Sequence, residues 1–199
     1  SFYIGEFDWA LAQLDVLKAA TSKLIANDAM ALSLLISDNI DMDSSTVQLG
    51  TYARADLLLY RNKPEEALAV LDSLMTAYPG HLITDDALMK KAEIRIKQGN
   101  FSEAATLFKK VVEEHGDDIL GDDALFRLAL LYDQPESGIS DISSFSSADL
   151  FFLNISDPAS KDKEKAMAAY QELLVKYPGS LFTVDARKRF RALRGDQVN

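Results

Sequence analysis

An all-α fold, built of antiparallel helix pairs stacked in series, is predicted by three features of these 199 residues. The tetrapeptide Asp-Asp-Ala-Leu at 85–88 recurs at 122–125, an offset of 37 residues. A fixed period of this size marks a repeat architecture. Ala10, Ala67, Ala104 and Ala166 each precede one large apolar residue by four positions (Leu14, Leu71, Phe108, Tyr170) and a second by seven (Leu17, Leu74, Val111, Leu173). Steps of four and three trace one face of a helix. The segments close on "AYPG" at 77–80, "HGDD" at 115–118 and "KYPG" at 176–179, with Pro or Gly placed just past a helix end.

Taken in chain order, residues 6–21 read as the second helix of a pair (helix B) whose first helix (helix A) lies upstream, so further repeats are expected before it. Residues 27–39 read as an extra helix that breaks strict alternation, and "DNIDMDSST" as a turn leading to the helix at 47. An EF-hand starting at Asp41 would need Gly at position 46 and Glu at 52, where Thr46 and Tyr52 stand, so calcium binding is not expected there. Pairs follow over 47–78 and 85–115, then one over 121–177 that carries an insertion at 134–161, and a final helix over 183–194. Pro64 suits a first helical turn, where its missing N–H costs nothing. Asp86-Ala87, Asp123-Ala124 and Asp185-Ala186 recur about twenty residues after an aligned alanine, and acidic residues at a helix start are expected to cap free N–H groups and suit the dipole. Ala55, Ala92 and Ala129 fall mid-helix A, where small side chains let helix B approach. Lys91 and Arg95 stand where the second pair would bury apolar residues, which predicts a looser or shifted interface.

Formal charge is −10, which disfavours nucleic acid as a partner. No cysteine is present, so disulfides and thiolate chemistry are excluded. No apolar run reaches the ~18 residues of a membrane-spanning helix, and "SFYIGEFDWA" has no basic stretch ahead of an apolar core. Arg187, Lys188 and Arg191 lie in a local basic cluster with Arg189 and Arg194, read either as a solvated helix face or as a docking patch for an anionic partner. The insertion is rich in Ser yet carries Phe145, Phe151 and Phe152. It reads as a loop with a short helix near 147–153 packed back on the array, or as a partner-contact loop. No metal or cofactor motif occurs. His81 and His115 both fall at helix ends, where a turn role is expected in place of a catalytic base.

The small residues of helix A (Ala92, Ala129), the Gly-then-aromatic opening of helix B (Gly99, Phe101), the Ala-then-bulky pairs (Ala104 with Phe108, Ala166 with Tyr170) and the closing Pro178 together resemble the tetratricopeptide repeat (TPR) family over most of the chain. Units of 37 residues ending in "YPG" are similar to a bacterial envelope subgroup, which includes lipoproteins of outer-membrane assembly and periplasmic proteins that accompany the Tol–Pal system. The resemblance implies a right-handed α-solenoid that acts as a non-catalytic scaffold for a protein or peptide partner, in the periplasm or cell envelope, with the cytoplasm as the alternative. It places helix A in the groove, with Tyr52, Asp56, Met89, Glu93 and Phe126 as candidate contacts. Met89 and Phe126 can equally pack against neighbouring helices. The Lys and Asn with which TPR co-chaperones clamp a terminal carboxylate are absent from these positions. A structural or oligomerisation module is the second expectation, and an enzyme with its site in the insertion or in sequence beyond these residues the third.

Overall fold

The computed structural model describes residues 1–20, 22–40, 46–134 and 161–196. Among them are nine α-helices and no strand: α1 (Phe7–Lys18), α2 (Lys23–Asp38), α3 (Val47–Tyr60), α4 (Pro64–Ala77), α5 (Ile83–Lys97), α6 (Phe101–Glu114), α7 (Gly121–Asp133), α8 (Lys163–Lys176) and α9 (Thr183–Arg194), preceded by a 3-10 turn at Phe2–Ile4. The fold is all-α, as the repeats predict. Sequential neighbours pack as hairpins: α1 on α2, α3 on α4, α6 on α7, α7 on α8 and α8 on α9. The sequence reads as one array over 1–199; the helices gather into two compact units, Ser1–Ile94 and Arg95–Asn199, divided inside α5.

In the first unit the aligned stripe forms the core. Ala67, Leu71 and Leu74 of α4 are sealed from solvent, as are Leu49 and Ala55 of α3. Each fully buried Leu contributes roughly 1.5–3 kcal/mol. The alanines leave the room: a fully buried Ala55 faces a helix that a larger side chain would push away. The stripe fails at the start of the chain. Leu17 is exposed, along with Trp9 and Val16 on α1 and Met30 and Leu34 on α2.

The second unit is built around α7, where Ala124 through Tyr132 are buried without interruption. Phe126 stacks on Phe182 with ring centroids 4.5 Å apart and planes 9° from parallel, and lies 6.2 Å from the Tyr170 ring. Such pairs add about 0.5–1.5 kcal/mol beyond area burial. The turn between α6 and α7 is closed by a near contact of two glycines. A Cβ on Gly121 would come within 2.5 Å of the Gly116 carbonyl oxygen and 2.6 Å of the Tyr177 hydroxyl. Tyr177, just past α8, donates its hydroxyl to that same carbonyl at 2.5 Å. The two strands of chain around the insertion meet at its base: the Asp162 N–H donates to the Tyr132 carbonyl at 2.9 Å, and the Asp162 side chain caps α8 by accepting from the Lys165 N–H.

Three readings need correction. Asp86, Asp123 and Asp185 lie inside the first turns of α5, α7 and α9 and are not cap residues; at α7 and α9 the cap positions are Leu120 and Phe182, without side-chain cap bonds. The acids still suit the dipole, and Asp122 accepts from the neighbouring Asp123 N–H at 2.8 Å. α2 begins at Lys23, so Asn27-Asp28 is mid-helix; good helix formers from 23 onward extend the helix N-terminally. α1 stops at Lys18, earlier than expected. Lys91 and Arg95 find charged partners: Lys91 pairs with Asp72 of α4, and Arg95 Nε lies 3.0 Å from Glu103 Oε1 of α6. The expected turn over 41–45 lies outside the described residues.

Candidate functional site

In the first unit, side chains from α3 and α5 converge on one cluster. Lys90 Nζ lies 3.1 Å from Asp56 Oδ1 and 3.5 Å from Glu93 Oε2, and 5.9 Å from the centroid of the Tyr52 ring. The spacing explains the convergence. Tyr52 and Asp56 are four apart on α3, and Lys90 and Glu93 three apart on α5, so each pair shares a helix face. Tyr52 is buried, and Asp56, Lys90 and Glu93 are half-buried. At one end the Tyr3 hydroxyl donates to Asp56 Oδ2 at 3.1 Å. At the other, buried Asn39 donates its amide to Asp86 Oδ2 at 2.7 Å.

Charge is tuned by this setting. Burial opposes the charge on Lys90, but Tyr52, Glu93 and Asp56 outweigh it and hold the ammonium well above the usual lysine range. Lys90 is therefore a fixed cation and a poor nucleophile. Burial, reinforced by the adjacent Asp85 carboxylate, raises the Asp86 carboxyl to about 8. Burial and then the Asp56 charge raise the Tyr3 hydroxyl to about 12. Burial holds Tyr52 far above its ordinary range. The cluster is a ledge of carboxylate acceptors around one cation, suited to hydrogen bonding and charge recognition.

The other predicted residues fall differently. Met89 and Phe126 are both buried, and Phe126 stacks on Phe182. Arg187, Lys188 and Arg191 are exposed along α9. Arg189 among them turns inward: Nε and Nη2 donate to the buried Asp133 carboxylate at 2.6 and 2.8 Å, and the Tyr170 hydroxyl donates to the same group at 3.0 Å. The Asp133 bonds hold the Arg189 guanidinium above its usual range. The two histidines act in turns: His81 Nδ1 accepts from the Ile83 N–H at 3.0 Å, and His115 Nδ1 sits 3.3 Å from Asp118 Oδ2. Phe145, Phe151, Phe152 and the short helix near 147–153 lie outside the described residues.

Sequence reasoning missed Lys90, Asn39, Tyr3 and Asp133. Lys90 adjoins a predicted groove position and lies three residues from Glu93, but its pairing with Asp56 joins two helices and follows only once α3 and α5 are known to meet. Nothing in the local pattern announces Tyr3 or Asn39.

Two matches to tetratricopeptide repeat family models cover residues 52–119 and 123–180. Together they span well over half of the chain, which belongs to the tetratricopeptide repeat family. Repeats of this class mediate protein–protein interaction on a scaffold that is typically non-catalytic. No curated protein and no solved structure showed a significant match. Among the described residues no helix is long and apolar enough to cross a membrane.

Proposed function

We propose that this chain is a non-catalytic scaffold that holds a partner protein or peptide against the helix-A face carrying Tyr52, Asp56 and Glu93. One observation carries the reading: Asp56 and Glu93, from two different helices, meet around Lys90 with part of each carboxylate still open to solvent. Core packing alone does not call for three charges there, since burying charge is costly. Partly desolvated charges at a surface give specificity and register to a bound chain. Phe126, stacked on Phe182, anchors helix A in the second unit. The exposed Arg187, Lys188 and Arg191 would offer an anionic partner a separate patch, and Phe145, Phe151 and Phe152 a further contact. The 37-residue units ending in "YPG" favour a bacterial envelope protein acting in the periplasm.

Site-specific photo-crosslinking tests the reading. A crosslinker at 56 or 93 is expected to trap the same protein, while one at exposed Val175 on α8 does not. Equal, unselective products from all three positions would sink it. A second reading, an oligomerisation module, draws on the exposed Trp9, Val16, Met30 and Leu34 of the first hairpin. Light scattering that shows a concentration-dependent oligomer, abolished by Val16→Lys with Leu34→Lys, would favour it.

A further inference from the structure

Asn39, the residue that ends α2, is 3% exposed. Its Nδ2 donates to the Leu35 carbonyl at 2.9 Å and to Asp86 Oδ2 at 2.7 Å. Both amide protons are thereby used, which fixes the amide's orientation. Its Oδ1 is buried as well and meets no donor among the described residues. An acceptor left in that state is costly. The Asp86 carboxyl already touches this amide. As a carboxylate it can only accept; as an acid it carries one O–H donor. An acid and an amide side by side close two bonds at once, the amide N–H to one acid oxygen and the acid O–H to the amide oxygen. One proton on Asp86 supplies what Asn39 Oδ1 lacks.

We propose that Asn39 and Asp86 form a proton-operated latch: with Asp86 neutral, the acid–amide pair locks the end of α2 to the first turn of α5, and loss of the proton opens one of its two bonds and loosens that joint. The surroundings favour the proton. Burial and the Asp85 carboxylate raise the Asp86 carboxyl to about 8, Asp38 at the end of α2 adds to the rise, and the Asn39 amide and Lys90 oppose it. Lys90, the cation four residues along α5, is shared with Asp56 of α3 and with Glu93. The Tyr52 hydroxyl of α3 stays neutral, held by burial far above its ordinary range. The latch is closed at lower pH and opens as pH rises through about 8. On opening, a new charge stands beside Asp85 and Asp38, and Asn39 Oδ1 loses its donor. The latch goes beyond the scaffold reading and does not depend on what the ledge holds.

Hydrogen exchange on the whole chain, read by NMR near pH 6 and near pH 9 and corrected for intrinsic rates, tests this. The Asn39 side-chain N–H groups and the backbone amides of the last turn of α2 are expected to lose about tenfold in protection over that range, relative to the amides of α6, the scale of one hydrogen bond lost. Asp86→Asn is expected to abolish the dependence, because its amide donates to Asn39 Oδ1 at every pH. The Asp86 Cγ resonance of the intact chain is expected to report a neutral acid near pH 6. An ionised Asp86 at that pH, flat protection in the intact chain, or an equal loss in Asp86→Asn overturns the proposal. So does an Asp86→Asn chain that does not fold, since the amide supplies both bonds of the acid. A water molecule that satisfies Asn39 Oδ1 in place of Asp86 would show as protection that ignores pH, the flat result that overturns the latch. None of these outcomes bears on the crosslinks from 56 and 93, so the two proposals stand or fall separately.

Discussion

Asp133 sits at the end of α7 almost wholly out of water, and three donors from Arg189 and Tyr170 converge on it. A buried carboxylate deprived of its cation is strongly destabilising, so Arg189→Leu is predicted to cost about 3 kcal/mol or more. Tyr170→Phe, which removes one of the three bonds, should cost about 1–2 kcal/mol. Urea titrations at pH 7 read both; equal effects from the two substitutions would contradict this hierarchy. Asp86 behaves oppositely. Its carboxyl is raised to about 8 in the folded chain, mainly by burial and the Asp85 charge, with Asp38 adding to the rise and Lys90 and the Asn39 amide opposing it. The folded state therefore binds this proton more tightly than the unfolded state. Its contribution is full below the ordinary carboxyl range and is lost as pH rises toward 8. Asp86→Asn is predicted to leave the melting temperature near pH 4 almost unchanged and to raise it near pH 9, by an amount corresponding to about 1–3 kcal/mol. A difference that grows toward acid pH would refute the sign.

Helix spans were legible because periodicity and turn chemistry report local structure: α3, α4, α6, α7, α8 and α9 fall within a residue or two of expectation. The start of α2 was not, because a capping-like Asn27-Asp28 imitates an entry signal inside a run of helix formers. The site was half legible. Family positions located Tyr52, Asp56 and Glu93, yet the Asp56–Lys90 pair, the Tyr3–Asp56 bond and the Asp133–Arg189 clasp join residues 34, 53 and 56 positions apart, and such pairings leave no trace in a local pattern. Lys91 and Arg95 show the limit from the other side: they were visible as departures, but their partners Asp72 and Glu103 were not. At the same scale, Gly121→Ala is predicted to destabilise by about 1–3 kcal/mol, the cost of overpacking, because the new methyl meets the Gly116 backbone in addition to a side chain. Gly179→Ala, in the turn after α8 with nothing near its Cβ position, is the matched control and should cost less. Thermal melts of the two variants compare them directly.

As a whole the chain is acidic, with a net charge of −10 and a pI near 4.7. Exposed apolar residues concentrate on α1 and α2, where Val16 is 74% exposed and Leu34 44%. Neither supports the core, so Val16→Lys with Leu34→Lys is predicted to change unfolding free energy by no more than about 0.5 kcal/mol per site. Higher solubility near the isoelectric point would be the visible effect. A loss of several degrees in melting temperature would show that this face is already engaged.

The bond between Asp162 and Tyr132 brings the ends of α7 and α8 together at one doorway. The chain leaves α7 and enters α8 at adjacent points, so these two helices meet across a short span of space however many residues separate them in sequence.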